Sequence, residues 1–193
     1  ISGNTLTNLS ISSSGAVLLN SITANSSLNE NGADIVNTSA VSASVTLTGV
    51  NSFSSNSDNG LIISSNGAIT ISSLTASSNG PNGSFGARLI NQNSPTKAGI
   101  TLTGVNSFIS NSGVGVVGLE IDSLGNVMIS SVTASFNGGK GVVINNFSFA
   151  GAIGSVTLSG TNVFKSNGDS NLQISSKGVV SLSNITSTGA QNG

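Results

Sequence analysis

A short β-branched phrase returns seven times along this chain, and no other feature constrains its fold as tightly. VTLTGVNSF starts at Val45, ITLTGVNSF at Ile100 and VTLSGTNVF at Val156, 55 and 56 residues apart. A related phrase alternates with them: VLLNSITAN from Val17, ITISSLTAS from Ile69, VMISSVTAS from Val127 and VSLSNITST from Val180. Successive starts lie 28, 24, 31, 27, 29 and 24 residues apart. A period in this range marks stacked supersecondary units, none of which buries its apolar face alone. The alternation makes the true repeat a pair of coils.

Each copy opens on a short strand, as in Val45-Thr-Leu47 or Ile100-Thr-Leu102. Side chains on a strand alternate between faces, so the flanking aliphatics point inward and the middle Thr or Ser outward. A second inward position is expected five residues after the first: Ile22, Val50, Leu74, Val105, Val132, Thr161 and Ile185. Next comes a strict alternation of small and bulky residues, Ala24, Phe53, Ala76, Phe108, Ala134 and Phe164. Coils stack about 4.8 Å apart, so consecutive rings would crowd, whereas rings spaced by alanines interdigitate. Three residues further on, Asn56, Asn79, Asn111, Asn137 and Asn167 recur, placed to hydrogen-bond along a column at one corner. A Gly-rich bend leads into a third strand with Ile35, Ile63, Leu89, Ile121, Ile144 and Ile174 inward. Its outward neighbours are Asp34, Ile62, Arg88, Glu120, Val143 and Gln173.

Three strands and three corners per coil define an all-β chain, a single-stranded parallel β-helix. About seven coils of 24–31 residues span one domain, residues 1–193. In these phrases, ITISSLTASSNG from Ile69 among them, the chain resembles repetitive bacterial surface proteins of adhesin type. It also resembles the right-handed β-helix of pectate-lyase-like and filamentous-haemagglutinin-like proteins. The resemblance covers nearly the whole chain and implies the coil; it does not imply an activity, because one superfold carries lyases, adhesins and fibres.

Composition narrows the functional classes. Charged residues are 6% of the chain, against roughly 25% in an average soluble domain, and the net charge is −1. No electrostatic capture of nucleic acid is expected from such a chain, and no apolar run reaches membrane-spanning length. There is no Cys and no His, which excludes thiol nucleophiles, His-based triads and zinc–thiolate sites. The pectate-lyase-like resemblance implies clustered aspartates for Ca²⁺, but Asp34, Asp58 and Asp169 stand on different coils. No cofactor or metal is expected. Six Asn-x-Ser/Thr sites (Asn8, Asn25, Asn37, Asn82, Asn146, Asn184) arise readily by chance in so Asn- and Ser-rich a chain.

Three surface features remain. Glu120 and Asp122 share one face of the third strand, with Arg88 on the coil before; the expected arrangement is an exposed cross-coil ion pair rather than a catalytic centre. The third corner alternates short turns (64–68, 122–126, 175–179) with long arcs (37–44, 91–99, 145–154), the kind of place where solenoids bind. The outward hydroxyls form a two-column ladder: Thr46 with Thr48, Thr70 with Ser72, Thr101 with Thr103, and Thr157 with Ser159. Leu18 and Met128 interrupt the first column. Such ranks resemble those of ice-binding solenoids, although outward Thr is also good strand chemistry. The leading expectation is a non-enzymatic, extracellular structural or adhesive segment of a surface fibre or stalk. Its partners would be copies of itself stacked head-to-tail or further repeats of the same chain. A carbohydrate- or ice-binding module is the first alternative, and a degenerate polysaccharide lyase the second. Neither end carries an amphipathic helix, a Pro-rich plug or a charge cluster, so the coils are expected to continue or to stack.

Overall fold

In the computed structural model, which describes residues 1–39 and 41–191, the chain winds into a parallel β-solenoid of about six turns. Among the described residues there is no helix. Sheet 1 stacks the opening strands Val17–Asn20, Val45–Thr48, Ile69–Ser72, Ile100–Thr103, Val127–Ser130, Val156–Ser159 and Val180–Leu182. Sheet 2 stacks Asn51–Ser52, Leu74–Thr75, Asn106–Ile109, Val132–Ser135, Asn162–Lys165 and Ile185–Thr188. Sheet 3 stacks Leu9–Ser12, Ala33–Asn37, Leu61–Ser65, Phe85–Asn91, Val117–Ser123, Val142–Asn146 and Leu172–Ser176. All pairings are parallel and in register, for example Ile100 against Ile69 and Val127. Six turns at one strand spacing each make a rod about 29 Å long.

The core is a single apolar column enclosed by the three sheets. Phe53, Phe108 and Phe164 are fully buried, as are Ala76 and Ala134 between them. Phe108 pairs directly with Ala134, and Ala134 with Phe164, so each ring lies over a methyl group. Ile and Val of sheet 1 and the aliphatics of sheet 3 complete the same cluster.

The second inward position departs from expectation in the Phe-bearing coils. Val50 and Val105 are 70% and 69% exposed, and Thr161 is also exposed. The residues that point inward there are Asn51, Asn106 and Asn162, which lie in register with Leu74, Val132 and Ile185. The cause is one extra residue at the corner between sheets 1 and 2. Ala-bearing coils turn it on a single left-handed Ser (Ser73, Ser131), whereas Phe-bearing coils use left-handed Gly49, Gly104 or Gly160 plus one more residue. One inserted residue flips every following side chain, so the valine swings out and the asparagine in. The buried amide is satisfied on both sides: Asn106 Oδ1 accepts from the Leu74 N–H at 3.2 Å, and its Nδ2 donates to the Ser130 carbonyl at 2.8 Å. Ile185 is partly exposed because it lies in the last coil.

At the corner between sheets 2 and 3, Asn56, Asn79, Asn111, Asn137 and Asn167 form a buried amide ladder. Each of the first four donates both its main-chain N–H and its Nδ2 to the Oδ1 of the next, at 3.0 and 3.0 Å from Asn79 to Asn111 and 3.1 and 2.9 Å from Asn111 to Asn137. The second Nδ2 hydrogen reaches back to the carbonyl of the core column, as from Asn137 to Phe108 at 2.9 Å. A left-handed residue precedes each ladder position, Ser in most coils and Phe136 in one. Beneath each amide lies a glycine of the coil below: a Cβ on Gly60 would stand 2.6 Å from Asn79 Nδ2, and one on Gly118 2.7 Å from Asn137 Nδ2. The amide therefore occupies the volume that a side chain on the lower coil would need.

Two losses should measure these contacts in chemical denaturation. Phe108→Ala should cost about 3–5 kcal/mol through the cavity it leaves. Asn111→Ala orphans the two buried donors of Asn79 and should cost about 2–6 kcal/mol, at about 1–3 for each donor.

Candidate functional site: a hydroxyl face and a charged cleft

Sheet 1 presents an outer surface without a charged side chain. Its first column runs Leu18, Thr46, Thr70, Thr101, Met128, Thr157, Ser181, and its second Asn20, Thr48, Ser72, Thr103, Ser130, Ser159. The hydroxyl ladder read from the sequence thus occupies adjacent strands in register. The columns differ chemically. Among the described residues, no protein group hydrogen-bonds the hydroxyls of Thr46, Thr70, Thr101 and Thr157. The second column is largely tied down: Thr48 Oγ1 accepts from Asn20 Nδ2 at 2.8 Å and donates to the Leu19 carbonyl, while Ser72 donates to the Gly49 carbonyl at 3.1 Å. Hydroxyls open to a ligand are therefore concentrated in one column, with Thr103 and Ser159 the exceptions in the other.

The long arcs edge this face at the corner between sheets 3 and 1. Each carries at its start a buried asparagine whose importance the sequence reading missed: Asn37, Asn91 and Asn146. Asn37 Nδ2 donates to the Ala43 carbonyl at 3.0 Å and Asn91 Nδ2 to the Ala98 carbonyl at 2.7 Å, bridging the two ends of each arc. Asn146 Nδ2 instead reaches the Gly125 carbonyl of the coil below at 2.7 Å. Ala40, within the first arc, lies outside the described residues. The signal was present, since an Asn opens each long arc while Ser65, Ser123 and Ser176 hold the equivalent position in the short turns. Burial also removes Asn8, Asn37 and Asn146 as glycan acceptors, because a glycosylated Asn needs a solvent-facing side chain.

On the outer face of sheet 3, Arg88 pairs with both carboxylates: Nε lies 2.9 Å from Glu120 Oε1, and Nη2 2.9 Å from Asp122 Oδ2. The Nη2 contact is an aligned hydrogen bond; the Nε contact is close but misaligned and acts as a Coulombic pair. The guanidinium also lies over the Phe85 ring, 5.0 Å from its centroid. The expected exposed pair is instead a half-buried clasp, with side-chain exposures of 33%, 19% and 8% for Arg88, Glu120 and Asp122. Its neighbours in the outward columns, Ile62 and Ile90, help to shut out water. Burial raises the Glu120 pKa above the ordinary glutamate value; Arg88 pulls it down and Asp122 pushes it up, and burial wins. Glu120 also edges a cleft of about 370 Å³ lined by Val114, Val117, Lys140, Val143, Asp169 and several glycine backbones. The corner before Gly118 is longer than the turns at 137–141 and 167–171 that line the cleft with it. Asp34, Asp58 and Asp169 remain on separate coils. No group of three His, Cys, Asp or Glu that could hold a metal occurs among the described residues.

Comparison with known proteins adds no relative: no family model, no curated protein and no solved structure matches the chain.

The clasp makes a signed prediction. The folded protein holds the Glu120 proton more tightly than the unfolded chain does. Its stabilising contribution is therefore fully present below the ordinary glutamate value and is lost as pH rises through the raised folded value. Asp34, raised by burial, acts in the same direction. Thermal melts across the acid range should show this decline, and Glu120→Gln should flatten it.

Proposed function

We propose that the chain is a structural, adhesive segment of an extracellular fibre or stalk, built of coils like those of repetitive adhesin-type surface proteins. The observation that carries this reading is the repeat itself, three parallel sheets stacked in register round one apolar column, so that each coil presents the same edges to the next. The last coil shows which side chains such a contact covers. Val180, Leu182 and Ile185 are 46%, 44% and 37% exposed there, at register positions where Val156, Leu158 and Asn162 of the coil below are buried. A further coil, from the same chain or a second copy, would cover them and extend all three sheets. A head-to-tail contact of this kind is heterologous and does not close, so it propagates a filament. The single arginine is held between two carboxylates as a structural clasp, which supports a non-enzymatic role.

Residues 1–193 should associate end to end as concentration rises, giving rods longer than one molecule in light scattering and electron microscopy. Leu182→Asp should reduce that association. A monomer at all concentrations, unaffected by Leu182→Asp, would defeat the stacking reading.

A second reading rests on the uncharged face of sheet 1, where hydroxyls and methyls repeat at strand spacing opposite a regular polar surface such as ice or a polysaccharide. Thr101→Asp places a charge at its centre. Loss of glycan-array or thermal-hysteresis signal in that variant would support this role; absence of any signal in the parent chain would remove it.

A further inference from the structure

We propose that Asn4–Asn8 and Asn167–Asn171 are two built-in breaks in the buried amide ladder, of the same polarity, written as Asn-x-x-x-Asn where an ordinary short coil has Asn-x-x-x-Gly. In Asn56–Gly60 and Asn137–Gly141, the asparagine passes its two hydrogen bonds to the next coil, and the glycine leaves room for the amide arriving from above. Asn167 behaves differently. Its N–H and Nδ2 reach Asn171 Oδ1 of its own coil, at 3.4 and 2.7 Å.

Asn171 occupies the glycine position, because it precedes Leu172 as Gly141 precedes Val142, its register partner. The ladder position of the coil above is filled by Ala190: Lys165 pairs with Thr188, and each ladder residue follows two places later. A methyl there leaves space, and the Asn171 amide fills it, donating to Ser187 Oγ and the Thr188 carbonyl, both at 3.1 Å. The other end repeats the exchange. Asn8 precedes Leu9 as Gly32 precedes Ala33, its register partner. Asn8 Oδ1 accepts from Asn4 N and Nδ2 at 3.3 and 2.9 Å. Its own Nδ2 donates to the Asn25 carbonyl at 2.8 Å and approaches Asn56 Oδ1 at 3.4 Å. The ladder position above it holds Ser27, whose main-chain N–H bonds Asn56 Oδ1 at 2.9 Å.

One volume is thus filled from either side. Glycine below goes with asparagine above, and asparagine below goes with a small residue above. The physical need is the same in both cases, since a ladder that simply stopped would leave a buried N–H and a buried amide without an acceptor.

The test is a swap, read by hydrogen exchange on the whole chain. Asn171→Gly should speed exchange of the Asn167 N–H by at least about tenfold, because its acceptor is gone. Ala190→Asn alone puts two amides into one volume and should loosen residues 185–188. Together the two substitutions recreate the interior pattern and should return Asn167 to near its original protection. If Asn171→Gly alone does not fold, recovery of folding on adding Ala190→Asn is the expected rescue. An unchanged Asn167 rate in Asn171→Gly, or a double variant as labile as the worse single one, overturns the proposal.

Discussion

The buried amide ladder between sheets 2 and 3 is the contact that holds the coils in register. A parallel sheet alone tolerates slippage, because its main-chain bonds recur at every second residue. An asparagine that gives both its N–H and its Nδ2 to one oxygen of the next coil admits a single alignment. It also satisfies the donors that a sharp corner would otherwise leave unpaired inside the protein. The ladder then dictates sequence elsewhere: a left-handed residue ahead of each rung, and a glycine wherever a rung descends on the coil below.

The two-coil repeat has the same kind of local cause. The ring of Phe53, Phe108 or Phe164 needs a small residue above and below it, Ala in the interior and Ser187 above Phe164, so every second coil is large at that position. The large coils also carry the extra residue at the preceding corner and the inward Asn51, Asn106 or Asn162. They follow the long arcs, each of which begins with a buried Asn. Core size, corner length, inward polarity and arc length therefore change in phase.

Charge is as unevenly placed as apolar volume. The outer face of sheet 1 has none, while Arg88, Glu120 and Asp122 gather at one point on sheet 3. A guanidinium held between two carboxylates and covered by Phe85 is neutralised within the protein and is spent on structure.

The strand phases, the alternation of Phe with Ala and the recurring Asn were legible in the sequence because each depends on residues close together within one phrase. The parallel solenoid follows from them. What the sequence left undecided depends on contacts between coils. The orientation of Val50 turns on one inserted residue, whose effect appears only when Asn51 is aligned with Leu74. The burial of the Arg88 clasp depends on what three successive coils place beside it. The roles of Asn8 and Asn171 depend on partners such as Asn56, 48 residues from Asn8, and on the small residue in the coil above. A period counted along the chain shows that coils stack; only the tertiary structure shows which atoms then compete for the same space.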